Sequence, residues 1–146
     1  KIRRKAIMAM TTYLKNKTLD NQFRGESYTP PSIIYVALSK SAPASNGSNC
    51  TEPDAASYKR LAISSNSVNW SAANGGSISN SSTLRFAEAE ESWTTQAAPI
   101  THWAMFDQET GGNMLFYGQL TKTQEVPRGA ILEFPENGLT TTILDN

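Results

Sequence analysis

His102 is the single histidine of the chain, set between Thr101 and Trp103 with the carboxylate of Asp107 five residues on. A histidine near a hydroxyl and a carboxylate is raw material for general acid–base chemistry. That chemistry needs a nucleophile held at a strained turn beside the ring, and the sequence carries neither a Gly-x-Ser-x-Gly elbow nor a second histidine. A zinc or iron site asks for three or four His, Cys or carboxylate ligands at short spacing, which His102 and the distant Cys50 do not supply. The run NGGS, Asn74 to Ser77, lacks the lysine and following helix of a phosphate-binding loop and reads as a turn. Glu88, Glu90 and Glu91 crowd the run EAEE, but neighbouring carboxylates on a strand point to alternate faces, which suits a solvated strand end better than a calcium site. With Asp107 they are the carboxylates a polysaccharide hydrolase or lyase would draw on, and their spacing shows no pair. The expectation is a protein that is not an enzyme and takes no cofactor or metal, with His102 packed in a hairpin and its ring nitrogens bonded to neighbours.

The elements that hold these residues are bounded by length and composition. A chain of 146 residues fits one domain, able to bury about two thirds of its unfolded surface without metal or disulfide staples. Thirteen Lys and Arg balance thirteen Asp and Glu, so no net field draws in nucleic acid or anionic lipid. Cys50, alone and in the polar run SAPASNGSNCTEPDAAS, is expected to be a free thiol. No apolar run reaches the roughly 18 residues that span a bilayer, and the basic start KIRRKAIMAM is followed by no apolar core, so neither a leader nor a membrane anchor is expected. The sequons NKT, NGS, NCT, NWS and NSS arise by composition in a chain this rich in Asn, Ser and Thr.

Residues 1–25 read as an arm and a short helix, residues 26–146 as a single antiparallel β domain. Lys1, Arg3, Arg4 and Lys5 crowd one end, with Ile2 and Ile7 as apolar anchors. From Thr11 to Phe23 the apolar positions Tyr13, Leu14, Leu19 and Phe23 fall loosely on one helical face, with Thr11 or Thr12 as cap and Gly25 past the end. Beyond Gly25 the period is two. SIIYVALS follows Pro30 and Pro31, YKRLAIS, VNW and TLRFAEA come next, and GQLTKT, VPRGAILEFP and NGLTTTIL close the chain. Short strands separated by Gly, Asn and Ser loops, with no helical period between them, predict an all-β antiparallel sandwich or barrel-like domain of the jelly-roll or immunoglobulin-like kind. Asn137-Gly138 favours a tight turn joining two strands, with Leu139, Thr141 and Ile143 on one face.

Within the stretch from Ile100 to Leu120, alternation puts Ile100, His102, Ala104 and Phe106 on one face and Thr101, Trp103 and Met105 on the other. Across the DQETGG turn, Met114, Phe116 and Leu120 fall on one side, Leu115 and Tyr117 on the other. Both faces carry bulk. Trp103, Met105, Leu115 and Tyr117 are therefore expected to be covered by the N-terminal helix or by a neighbouring subunit.

The order YLKNKTLDNQFRG, YVALSKSAP, YKRLAI, ISNSSTLRF, THWAMFDQETGGNMLFYG and GAILEFPENGLTTTIL, from about Tyr13 to Leu144, resembles a family of small virion proteins of tailed bacteriophages, labelled tail-fibre or head-decoration proteins. The stretch KIRRKAIMA precedes the matching part and departs from it. The resemblance implies a structural role on the phage particle, without catalysis or cofactor. Capsid decoration is the first expectation. In it a cement protein, acting as a homotrimer on the outer surface of the head, binds the major capsid protein through an arm formed by Lys1, Arg3, Arg4, Lys5 and Ile7. The alternative is a tail-fibre or receptor-binding module in which loops near Trp70 and Trp93 face host glycan. In either case the partners are further copies of the chain and capsid or tail proteins, with no nucleic acid and no membrane, after synthesis in the bacterial cytoplasm.

Overall fold

The computed structural model describes residues 8–143. The expected basic arm, Lys1, Ile2, Arg3, Arg4, Lys5 and Ile7, lies outside the described residues. A two-residue strand, β1 (Ala9–Met10), leads into helix α1 (Thr12–Arg24). Thr11 caps the helix, its Oγ1 accepting from the Leu14 N–H at 3.4 Å, and Gly25 ends it at φ 66° with its N–H bonded to the Asp20 carbonyl. Both caps fall where Thr11 and Gly25 predict them.

The helix buries less than its apolar residues suggest. Leu14 is buried, whereas Leu19 and Phe23 are 54% and 84% exposed. At about 100° per residue, Leu19 and Phe23 lie roughly 140° and 180° round the helix from Leu14, so no one face holds all three. The anchor is instead the first turn, where the Thr11 hydroxyl donates to the Met114 carbonyl at 2.6 Å and the Thr11 N–H to the Leu115 carbonyl at 3.0 Å.

The β-branched and aromatic run IIYVALS forms β2 (Ile33–Ser39). It pairs with β3 (Leu61–Ser64) on one side and β6 (Ile100–Phe106) on the other, and β6 pairs with β7 (Met114–Gln124), which carries β1. The result is a five-stranded antiparallel sheet in the order β1-β7-β6-β2-β3. Shorter ladders make the second layer: β4 (Ser77–Ser79) with β9 (Thr140–Thr142), and β5 (Leu84–Arg85) with β8 (Glu133–Phe134). Beyond β5 the pairing continues loosely, with Phe86, Ala89 and Trp93 N–H groups bonded to the Leu132, Ala130 and Val126 carbonyls. The fold is all-β, antiparallel and sandwich-like, with one short helix.

The main core lies between the layers. Val36, Leu38, Trp103 and Met105 of the large sheet meet Phe86, Trp93, Val126, Phe134 and Leu139 of the second. Trp93 is held by edge-on contacts to Tyr58 and Phe86, 5.3 and 6.3 Å between ring centres. A smaller cluster of Ala37, Ala104, Phe106 and Met114 packs on the opposite face, under Tyr35, Cys50 and Tyr117.

Strict alternation fails at two irregularities in the β6–β7 pairing, one between Ile100 and His102 and one between Met105 and Phe106. At the first β7 holds three residues more than β6 and at the second one more, and an odd surplus flips the side-chain order beyond it. Ile100 accordingly joins Trp103 and Met105 in the main core instead of sharing a face with Ala104 and Phe106, and Met114 joins the smaller cluster while Phe116 and Leu120 pack on the larger. The turn at Asn137 also differs from expectation. Gly138 N–H bonds the Pro135 carbonyl at 2.8 Å and Asn137 takes φ 60°, but the strands it joins belong to different ladders. It turns the chain from β8 to β9 across the second layer, leaving Leu139 and Thr141 buried and Ile143 exposed.

Candidate functional site

His102 faces Ser39 on one neighbouring strand and Gln119 on the other. Its Nδ1 lies 2.7 Å from the Thr101 hydroxyl, and partial burial pulls its pKa below the ordinary imidazole value. Asp107 is engaged elsewhere: its carboxylate accepts from the Asn113 N–H at 2.7 Å and from the Asn113 side-chain amide at 2.8 Å, closing the β6–β7 turn. Of the EAEE carboxylates, Glu91 accepts from the Ser57 N–H at 3.1 Å. Among the described residues no three His, Cys, Asp or Glu side chains gather as a metal site would require, and no helix is long and apolar enough to cross a membrane.

A polar cluster that local spacing did not reveal sits beside that turn. Arg60 grips Glu52 with two bonds, 3.0 and 2.8 Å, and donates to the Gln108 and Gly111 carbonyls at 2.9 and 2.8 Å. The Tyr58 hydroxyl donates to Glu52 at 2.9 Å and accepts from the Leu38 N–H at 3.0 Å. Burial, then the Glu52 charge, raises the Tyr58 pKa well above the phenol range, and the same two causes push Cys50 up to about 11. Every strong donor and acceptor here is answered from within the chain, so the cluster reads as a clamp on the fold.

The open site is a groove of about 860 Å³ between the large sheet and the β4–β9 ladder. Its floor is hydrocarbon from several elements: Leu14 of α1, Ile34 of β2, Met105 of β6, and Leu115 and Phe116 of β7. Ile78 and Thr141 are register partners across β4 and β9, so their side chains stand on one face and form one wall together. Trp70 forms another part of the wall. It is presented by a loop in which the Asn66 side-chain oxygen accepts from the Val68 and Asn69 N–H groups, each at 3.0 Å, and the Asn66 carbonyl accepts from the Trp70 N–H at 3.1 Å. Ser65, Asn66, Ser67 and Ser71 add polar groups, and Tyr28, Pro30 and Pro31 also line the groove, with the Ser65 hydroxyl donating to the Pro31 carbonyl at 2.9 Å. Burial raises the pKa of Tyr28.

The residues singled out from sequence divide across this geometry. Trp103 and Met105 are in the main core, Met105 also touching the groove, Leu115 lines the groove near Leu14, and Tyr117 packs on the opposite face with the smaller cluster. The two tryptophans expected near exposed loops are both buried in the main core, Trp93 with its Nε1 donating to the Ser57 hydroxyl at 2.9 Å and Trp70 with an edge that also lines the groove. From sequence, Pro30, Pro31, Ile34 and Phe116 read only as parts of strands or their boundaries, and Tyr28 is not singled out. Their convergence depends on pairings far apart in the chain, and the one local sign is an aromatic followed by a proline pair.

A family model described as podophage GP4 fiber I protein gp80 matches residues 9–142, nearly all of the described chain. No curated protein matches it. The family match agrees with the resemblance to tailed-phage virion proteins.

Proposed function

The chain belongs to the podophage GP4 fiber I protein family, and from that membership we propose that it is a non-enzymatic tail-fibre module that contacts glycan on the host surface. The observation that carries this reading is the groove. An aromatic wall at Trp70 and Tyr28 gives the C–H face of a sugar ring something to cover, and the Ser67 hydroxyl and the Asn66 side-chain N–H supply orienting hydrogen bonds. The family description supports a fibre over capsid decoration, whose argument rested on the basic arm outside the described residues. In this reading the partners are further copies of the chain, as a homotrimer, and neighbouring tail proteins.

The test is binding of the purified chain to an array of bacterial lipopolysaccharides and capsular polysaccharides. Retention on at least one glycan, weakened by Tyr28→Ala and by Trp70→Ala, is the expected result. Binding to undecorated phage heads with no glycan retained restores the capsid reading, and release of new reducing ends from a bound glycan overturns the non-enzymatic one.

A further inference from the structure

Two features of the groove are not used by general glycan contact. Trp70 and Thr141 are 8% and 5% exposed, and the indole Nε1 and the hydroxyl Oγ1 have no hydrogen-bond partner among the described residues. Folded proteins leave few buried polar groups unanswered, because each keeps its desolvation penalty without a compensating bond. Here both lie on residues that line one groove, and the floor beside them is aliphatic.

That combination discriminates between sugars. A fully hydroxylated ring pressed onto Ile34, Met105 and Phe116 strips its hydroxyls of water and gives them no partner. An acetamido substituent matches the surface in three ways. Its carbonyl oxygen accepts from the indole N–H, its N–H donates to the threonine hydroxyl, and its methyl group has hydrocarbon to cover. We propose that the groove takes a glycan containing N-acetylated amino sugars, with the acetamido group directed at Trp70 and Thr141. The proposal rests on the glycan-binding reading and narrows it to one chemical class. Each polar atom is itself closed to water in the free chain, so the proposal includes a side-chain rearrangement of Thr141 and Trp70 on docking.

Trisaccharides of one β-1,4 backbone test this on the full chain: the N-acetylglucosamine trimer, its free-amine counterpart and the glucose trimer. Calorimetry reads affinity and the Trp70 indole N–H resonance reads the contact. The N-acetylated trimer binds about tenfold tighter than the glucose trimer and moves the Trp70 indole signal. Thr141→Val, which keeps shape and removes the hydroxyl, and Trp70→Phe, which removes the indole N–H together with one ring, weaken it by about five- to tenfold. Equal affinity for the three trimers, no binding of the N-acetylated one, or affinity unchanged in both variants overturns the proposal. If the chain still binds other glycans on the bacterial array, the fibre reading stands without it, and if it binds none, both fall. Should sedimentation show an oligomer that Tyr28→Glu dissociates, with no trimer bound, the groove is a protein interface and the proposal is wrong.

Discussion

The guanidinium carbon of Arg60 sits 3.7 Å from the centre of the Phe106 ring, while the same group pairs side-on with Glu52 and caps two carbonyls of the β6–β7 turn. One side chain thus joins the long connection between β2 and β3 to a turn some fifty residues away. Only 7% of the Arg60 side chain is exposed, so the planar fork and the ring contact act in a largely dry setting where lysine is a poor substitute. Arg60→Lys is expected to cost about 2–4 kcal/mol in urea denaturation. Arg85→Lys, in the exposed pair with Glu133, should cost no more than about 1 kcal/mol. Equal effects at the two positions would show that the clamp contributes nothing special.

Gly118 is the register partner of Trp103, and the indole lies across it. A Cβ at position 118 would meet Trp103 Cζ2 at 2.7 Å, Cε2 at 2.9 Å and Met8 Cγ at 3.1 Å. Trp103 is held by the main core and has no free direction to move. Gly118→Ala should therefore destabilise by about 1–3 kcal/mol, whereas Gly129→Ala, with open space but φ 82°, loses only through backbone strain. A shift of the Trp103 emission in the first variant and not the second distinguishes the two causes.

Asn80 is fully buried and fully used: its amide donates to the Ser82 and Pro135 carbonyls, each at 2.8 Å, and its oxygen accepts from the Leu139 N–H at 2.8 Å. Asn80→Ala orphans all three backbone groups, and a loss of about 2–4 kcal/mol follows. Thr141→Val, five per cent exposed and unanswered, removes a penalty instead, so the free protein should be unchanged or up to about 1 kcal/mol more stable. Thermal melts of the two variants without ligand check the contrast, and a large loss in Thr141→Val would mean that its hydroxyl has a partner.

Cys50 is a free thiol packed against the smaller cluster, and burial raises its pKa from 9.0 to about 11. The folded thiolate fraction at neutral pH is then roughly a hundredfold below that of the unfolded chain. A thiol reagent should react slowly with the native protein and quickly in denaturant. Because the raised pKa belongs to the folded state, the contribution to stability is present below pH 9 and is lost as pH rises toward 11. Cys50→Ala should flatten that alkaline decline, and an identical decline in both proteins would assign it to another group.

Much of the architecture was legible because it follows from local chemistry. Thr11 and Gly25 bound the helix by satisfying its end groups, and the run IIYVALS is a strand because β-branched residues suit a pleated, half-buried surface. The β6–β7 hairpin was legible from its period of two and its Gly-rich turn. The virion family was legible from the order of the strand sequences along the chain.

What the tertiary structure alone decided is which side each residue takes and what it meets. Ile100 and Met114 changed faces where the β6–β7 register shifts, and alternation within a strand carries no record of how it pairs with its neighbour. Trp70 stands in a Ser-rich and Asn-rich run and Trp93 beside a run of glutamates, and both end in the main core, yet Trp70 alone of the two also lines the groove. The groove itself unites α1, β2, β4, β6, β7 and β9. Periodicity and capping act over a few residues, whereas a concave surface is made by long-range pairing, and only the folded chain brings those distant segments together.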